Sequence, residues 1–205
     1  MASIPQRRRV IENTRDIDDR GRMARRVQRW QWKLDRLLRR YVGRDALTGI
    51  GTAAQGMRGL ACDVQRDEAA VIFCDMDNML AFNYANGHGC GDQLLRLVAA
   101  TLMAGFVATQ PYGRGVYRIG GDEFLIRLPG RDLTSAQTFA EDARRRIKRV
   151  PEMFEAVQPE GRPLTARFAV AAWTKGASPA SKNELIRALD EALRHATRDS
   201  VVRAL

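Results

Sequence analysis

Apolar positions recur from Met23 to Tyr41 at spacings of four and three: Met23, Val27, Trp30, Leu34, Leu37 and Tyr41. That is an a/d heptad seam with arginines on most of its flanks. It predicts a helix that pairs in parallel with a second copy of itself, making residues 20–42 the contact of a homodimer. The run spans under three heptads, so a single amphipathic helix packed on its own domain is the competing reading. Residues 1–15 are expected to be disordered. Gly43 reads as a helix C-cap, and Asp45 or Thr48 as turn formers that bond nearby backbone N–H groups. The boundary is therefore expected between a helical arm, 1–44, and a globular part, 45–205.

In the globular part the rhythm changes. Ala69–Asp75 (AAVIFCD) is a short apolar run ending in an acid, a buried strand. A loop is expected next, then a helix over Asp92–Phe106 with Leu94, Leu95, Leu97, Val98 and Leu102 on one pattern. Val116–Ile119 and Glu123–Leu128 flank Gly120-Gly121 as the strands of a hairpin. Thr134–Val150 reads as a helix, Leu164–Trp173 as a strand, and Ser181–Thr197 as a helix burying Leu185, Ile186, Leu189 and Leu193. This order predicts an α/β fold with a mainly antiparallel sheet and helices packed against it.

Charge separates the same two parts. Of the net +10, residues 1–44 hold 14 Lys/Arg against 5 Asp/Glu, and the rest holds 20 against 19. The basic character belongs to the arm. Self-pairing of so basic a helix is costly at low salt, and an anionic partner (nucleic acid, acidic protein or lipid headgroups) could relieve the repulsion. A solvated helix face explains the same arginines without any partner. Cys62, Cys74 and Cys90 are odd in number and form no CxxC pair, which fits free thiols in a reducing cytosol. No apolar stretch reads as a transmembrane segment and the N-terminus is too polar for a secretory signal, so a cytoplasmic location is expected.

Candidate chemistry sits at Arg118-Ile-Gly-Gly-Asp-Glu-Phe124. Gly120 and Gly121 allow a tight turn and close approach of a phosphate. Asp122 and Glu123 place two hard oxygen ligands beside that gap, the donor type Mg²⁺ prefers. The predicted layout puts the end of the Ala69–Asp75 strand next to this hairpin, so Asp75 is expected to face Asp122 and Glu123. Three converging carboxylates repel one another unless a cation neutralises them.

These residues resemble the GGDEF family of diguanylate cyclases over about residues 45–200. Asp45-Ala-Leu-Thr-Gly49 is similar to the family's D-x-L-T-G entry turn. Asp75-Met-Asp77, Asn83, Gly87-His88 and Gly91-Asp92 follow its D-x-D…N…G-H-x-x-G-D segment, and residues 118–124 match its signature. The resemblance implies a palm-like sheet with helices, as in class III nucleotidyl cyclases. It also implies two GTP-loaded domains facing one another, each 3′-OH attacking the other nucleotide's α-phosphate to give cyclic di-GMP and pyrophosphate. Carried over by position, Asp75 and Asp122 would hold Mg²⁺ (or Mn²⁺) with the Met76 carbonyl, and Glu123 would be a further ligand or help activate the 3′-OH. Asn83 and Asp92 would read guanine, and backbone N–H groups around Asn78, Met79 and Leu80 would take the terminal phosphates.

The chain departs from the family pattern at several cations. Met79-Leu80 stands where the family has Phe-Lys, and Asn83-Tyr84 where it has Asn-Asp. Ala196-Thr197-Arg198-Asp199-Ser200-Val201-Val202 replaces its A-K-x-x-G-R-N run, leaving Arg198 or Arg194 as substitutes on the phosphates. Pro111-Tyr-Gly-Arg114 replaces the inhibitory R-x-x-D, so product inhibition there is expected to be absent. An active cyclase is the favoured expectation; a silent GTP- or cyclic-dinucleotide-binding regulator is the alternative. No sensory module stands ahead of the motifs, so input is expected through the arm, a partner protein or expression level.

Overall fold

The first six residues of β2 (Ala69–Asp77), Ala69 to Cys74, alternate between two apolar cores, which explains why that run is hydrophobic at every position rather than every second one. The computed structural model describes residues 43–109, 115–154 and 156–205. The heptad arm, its homodimer contact and the Pro111–Arg114 segment lie outside the described residues. Arg44–Leu205 is one compact unit.

Its elements are β1 (Gly51–Thr52), α1 (Ala53–Asp63), β2, α2 (Met79–Asn86), α3 (His88–Thr109), β3 (Val116–Arg118), β4 (Glu123–Pro129), α4 (Leu133–Ile147), a 3₁₀ turn (Val150–Phe154), β5 (Thr165–Trp173), α5 (Lys182–His195) and β6 (Val201–Arg203). They build a six-stranded sheet of order β1-β3-β4-β2-β5-β6. The four central strands pair antiparallel, as expected, whereas β1 on β3 and β6 on β5 are parallel edge additions. The sheet is therefore mixed, flanked by helices on both faces.

On one face Ile72, Cys74, Ile126, Phe168 and Val170 meet Leu94, Val98, Leu102 and Phe106 of α3 and Phe139, Ala140 and Ile147 of α4. On the other, Val71, Phe73, Leu125, Ala169 and Trp173 meet Leu60 of α1 and Leu185 and Leu189 of α5. Helix α3 is long and apolar enough to cross a membrane by length and composition, yet its apolar face is this core. Two helix starts follow capping chemistry: the Asp132 side chain accepts from the Ser135 N–H at 2.9 Å, and Ser181 Oγ from the Glu184 N–H at 3.1 Å.

Three expectations need correction. The loop expected after Asp75 is two more strand residues and α2, joined by Asn78 in the left-handed conformation (φ 61°). α1 was absent from the predicted order because Gly56 and Gly59 dilute its helical signal. β6 was absent because three residues at a parallel edge carry no period of their own.

Candidate active site

The apolar ladder on the α1/α5 face stops abruptly at the C-terminal end of β2. Moving two residues along each strand turns Phe73 into Asp75, Leu125 into Glu123, and Ala169 into Arg167. Register pairs Asp75 with Glu123 on one side and with Arg167 on the other, so the three side chains form one row across β4, β2 and β5. Asp75, Glu123 and Arg167 line a cavity of about 490 Å³ together with Asp190 and Arg194 of α5, over a floor and rim that include Phe73 and Ile119.

The turn before β4 is held by its own backbone and by Arg118. Ile119 N–H donates to the Glu123 carbonyl at 2.9 Å, and Arg118 Nε donates to the Gly121 carbonyl at 3.1 Å. Met76 N–H reaches the Asp122 carbonyl at 3.3 Å, which ties the signature turn to β2. Neither Gly120 nor Gly121 has a positive φ, so the glycine pair is not required by turn conformation. At Gly120 a Cβ would meet the Glu123 carboxylate, which would have to move aside. Arg118 also reaches back to Asp45, 3.3 Å away. Asp45 Oδ1 accepts from the Thr48 N–H at 2.9 Å and hydroxyl at 2.7 Å, as expected for the entry turn. Burial pulls the Asp45 carboxyl upward, but the Thr48 bonds and Arg118 outweigh it and leave it low.

Charge in the row is unbalanced. Burial pushes the Asp75 carboxyl up to about 6; Arg167 opposes the rise, while Asp122, Glu123 and Asp77 add to it. Burial and then Asp122 and Asp190 raise the Glu123 carboxyl as well. Hard oxygens raised above their usual range by burial and then by their acidic neighbours are the donor chemistry of a divalent cation site. Among the described residues, however, no three His, Cys, Asp or Glu side chains stand together as a preformed cage. Strand register aligns Asp75 with Glu123, while Asp122 joins them through its backbone.

The other anticipated residues form a separate cluster. Asn83 on α2 and Asp92 on α3 belong to helices that pack on the opposite face of the sheet. Asp92 is exposed. Asn83 Oδ1 is buried with no hydrogen-bond partner, an uncommon state for a side-chain oxygen and one a ligand donor would relieve. It lies against Gly91, where a Cβ would come within 1.9 Å. Between the clusters Asn78 caps α2, with its Nδ2 donating to the Pro163 carbonyl at 2.8 Å. Met79 is buried and Leu80 is 68% exposed. Helix geometry leaves the N–H groups of this first turn without intrahelical acceptors.

Of the substitute cations, Arg194 lines the cavity and pairs with Glu191 at 2.8 Å, whereas Arg198 is exposed and not among the lining residues. Arg167 was not anticipated. Its signal in the sequence is a lone arginine inside an otherwise apolar strand, T-A-R-F-A-V-A-A-W. In the sequence Asp77 stands out only as part of the D-x-D motif. Its side chain is 1% exposed, accepts from Thr165 Oγ1 at 2.7 Å and the Asp199 N–H at 3.0 Å, and lies 2.9 Å from Arg167 Nε.

Comparison with known proteins agrees with this geometry. The family model for the GGDEF domain of diguanylate cyclases matches residues 44–201. Over 127 residues the chain is 32% identical to the bifunctional diguanylate cyclase/cyclic di-GMP phosphodiesterase MucR of Pseudomonas aeruginosa, covering 62% of this chain and 17% of that protein. Over 111 residues it is 32% identical to the diguanylate cyclase VdcA of Vibrio cholerae, covering 54% and 32%. The matched segments thus span at most a third of these two relatives. Among solved structures, the diguanylate cyclase SiaD of P. aeruginosa, determined with its activator SiaC, superposes with a TM-score of 0.71 at 23% identity, covering 98% of this chain and 76% of that one. The coiled coil and GGDEF domain of DgcB from Caulobacter crescentus, determined with c-di-GMP, gives 0.66 at 22% identity, covering 91% and 98%. These likenesses establish the fold. With the family match spanning most of its length and the signature turn set against Asp75, the chain belongs to the GGDEF-domain family of diguanylate cyclases.

Proposed function

We propose that this protein condenses two molecules of GTP into cyclic di-GMP and two of pyrophosphate, each of two facing domains supplying one bound nucleotide. The observation that carries the reading is the Glu123–Asp75 pair at the end of the central strands, beside the left-handed turn at Asn78. A nucleotide reaching both clusters lies across the end of β2, over Asp77–Leu80. Its base goes to Asn83 and Asp92. A carboxylate accepts from the guanine N1–H and exocyclic amine, a pattern adenine does not offer. Its phosphates meet the first-turn N–H groups at Met79 and Leu80. Gly120 and Gly121 leave room on the other side.

Asp75, Asp122 and Glu123, with the Met76 carbonyl, would hold Mg²⁺ or Mn²⁺. Such an ion supplies charge neutralisation and in-line alignment at a phosphoryl centre. Glu123 is also placed to accept a proton from an attacking hydroxyl, and its raised carboxyl strengthens it as a base. The arm over residues 20–42 brings two domains together, and its arginines suit an anionic or acidic partner. Free thiols at Cys62, Cys74 and Cys90 fit a cytoplasmic setting. Because Pro111–Arg114 lacks R-x-x-D, turnover proceeds without product inhibition at that segment.

Purified protein with GTP and Mg²⁺ tests this reading. Cyclic di-GMP should form, with specific activity rising with protein concentration to a plateau, because each product needs two domains. Absence of product at concentrations where the protein is dimeric overturns it. One observation favours a silent GTP-binding regulator instead: the phosphate turn carries an exposed leucine, Leu80, in place of a cation. Saturable GTP binding without turnover establishes that alternative.

Two further results are expected. Gly91→Ala pushes a methyl into Asn83 Oδ1. It should raise KM for GTP about tenfold with little change in kcat, as expected for loss of one hydrogen-bonded contact to the bound substrate; steady-state kinetics read it. The second concerns pH. A carboxyl raised from 3.8 to about 6 on folding costs stability as the pH climbs through that window. A cation at Asp75 removes that cost, so Mn²⁺ should raise Tm more at about pH 7.5 than at about pH 5. Equal shifts in thermal melts at both values contradict it.

A further inference from the structure

Arg167 is held from three sides. Its Nη2 donates to Asp75 Oδ2 at 2.9 Å, its Nη1 to the Leu193 carbonyl at 3.3 Å, and its Nε stands 2.9 Å from Asp77 Oδ1. The last contact is close enough to pair by charge but is not aligned as a hydrogen bond, so Nε is buried without one. Asp77 meanwhile has Oδ2 committed to Thr165 and the Asp199 N–H. Its Oδ1 faces the guanidinium.

This arrangement places a cation of the chain's own on the carboxylate at the centre of the site. The cavity carries Asp75, Glu123 and Asp190 against Arg167 and Arg194. With Arg167 on Asp75, one carboxylate of the row is already neutralised. A divalent ion arriving at Asp75 meets the repulsion of that guanidinium and competes for the same carboxylate. Displacing Arg167 does not strand it. Asp77 Oδ1 already stands 2.9 Å from its Nε, so the charge keeps a buried partner.

We propose that Arg167 is a resident counter-cation that metal must displace from Asp75, with Asp77 as its second berth. Metal capture by this chain is then a cation exchange, weaker than the carboxylates alone would give. The inference rests on the reading of Asp75 as a metal ligand, and its test separates the two.

Binding of Mn²⁺ alone to the full chain, followed by the EPR signal of the free ion, needs no nucleotide and no turnover. Arg167→Gln should bind Mn²⁺ about five- to tenfold more tightly than the unaltered protein, the effect of removing one partly screened like charge. Arg167→Lys, which keeps the charge, should stay within about twofold. Asp75→Asn should weaken binding severely. Unchanged or weaker binding by Arg167→Gln, or none up to about 10 mM Mn²⁺, overturns the exchange. If Asp75→Asn binds as well as the unaltered protein, the metal-site reading fails and the exchange with it. A measurement on the unaltered chain covers the case in which the variants fold poorly. On titration with Mg²⁺ the ¹⁵Nε resonance of Arg167 should move with saturation as the side chain changes partner, and a resonance that stays fixed through saturation overturns the proposal.

Discussion

Glu123→Gln is expected to lower cyclic di-GMP formation at least about 100-fold while leaving the fold intact or slightly firmer. The substitution keeps shape and removes charge. Glu123 lies at the mouth of the cavity beside Asp75, and its carboxyl is raised by burial and then by Asp122 and Asp190. Neutralising it relieves repulsion in the folded state, so a purely structural residue here would give a variant at least as active as the parent. A loss of turnover without loss of stability is the signature of a group retained for chemistry. Asp122→Asn should lose activity comparably. Product quantified by chromatography, with thermal melts on the same samples, reads both halves. Parental turnover by Glu123→Gln would remove Glu123 from the mechanism.

Asp63→Asn is expected to destabilise the domain by about 3 kcal/mol or more, for the opposite kind of reason. Asp63 ends α1 and is fully buried. It accepts from Arg127 Nε in the middle of β4 and from Arg66 Nε at 3.1 Å. The Arg127 side chain is only 14% exposed, also donates to the Tyr117 hydroxyl at 3.1 Å, and lies 5.8 Å from that ring's centroid. Removing the carboxylate leaves a guanidinium buried beside a neutral amide, and the penalty is its desolvation. Replacing both residues by leucine should recover much of the loss, since a buried pair is often no more stabilising than apolar packing of similar volume. Urea unfolding of the two single variants and the double variant measures the coupling. A single variant within about 0.5 kcal/mol of the parent would show that the pair carries little.

These two expectations differ in how far they could be read from the chain. Glu123 stands in a contiguous motif, and Asp75 ends an apolar run six residues long, so both were visible as letters. The central strands and the three long helices were equally visible, because each repeats its own period long enough to be read. Met79–Asn86 was not, being eight residues with no lasting period, entered through a left-handed asparagine that reads as a turn. α1 hid behind two glycines whose role is spatial. A Cβ at Gly56 would come within 2.9 Å of Leu125, so closeness to β4 costs helix propensity.

Arg167 marks the limit more sharply. Ninety-two residues separate it from Asp75, and only the antiparallel register of β2 with β5 sets them side by side. A shift of one residue would turn its side chain toward the other core. By itself, the sequence determined the family, the carboxylates and the sheet's buried strands, since motif spacing and apolar runs are local properties of the chain. Tertiary structure alone decided which charge faces which: Arg167 on Asp75, Arg127 on Asp63, and Asn83 pressed against Gly91 with its oxygen unpartnered. Pairing in space depends on register and helix packing summed over the whole domain, and no short window of residues contains that sum.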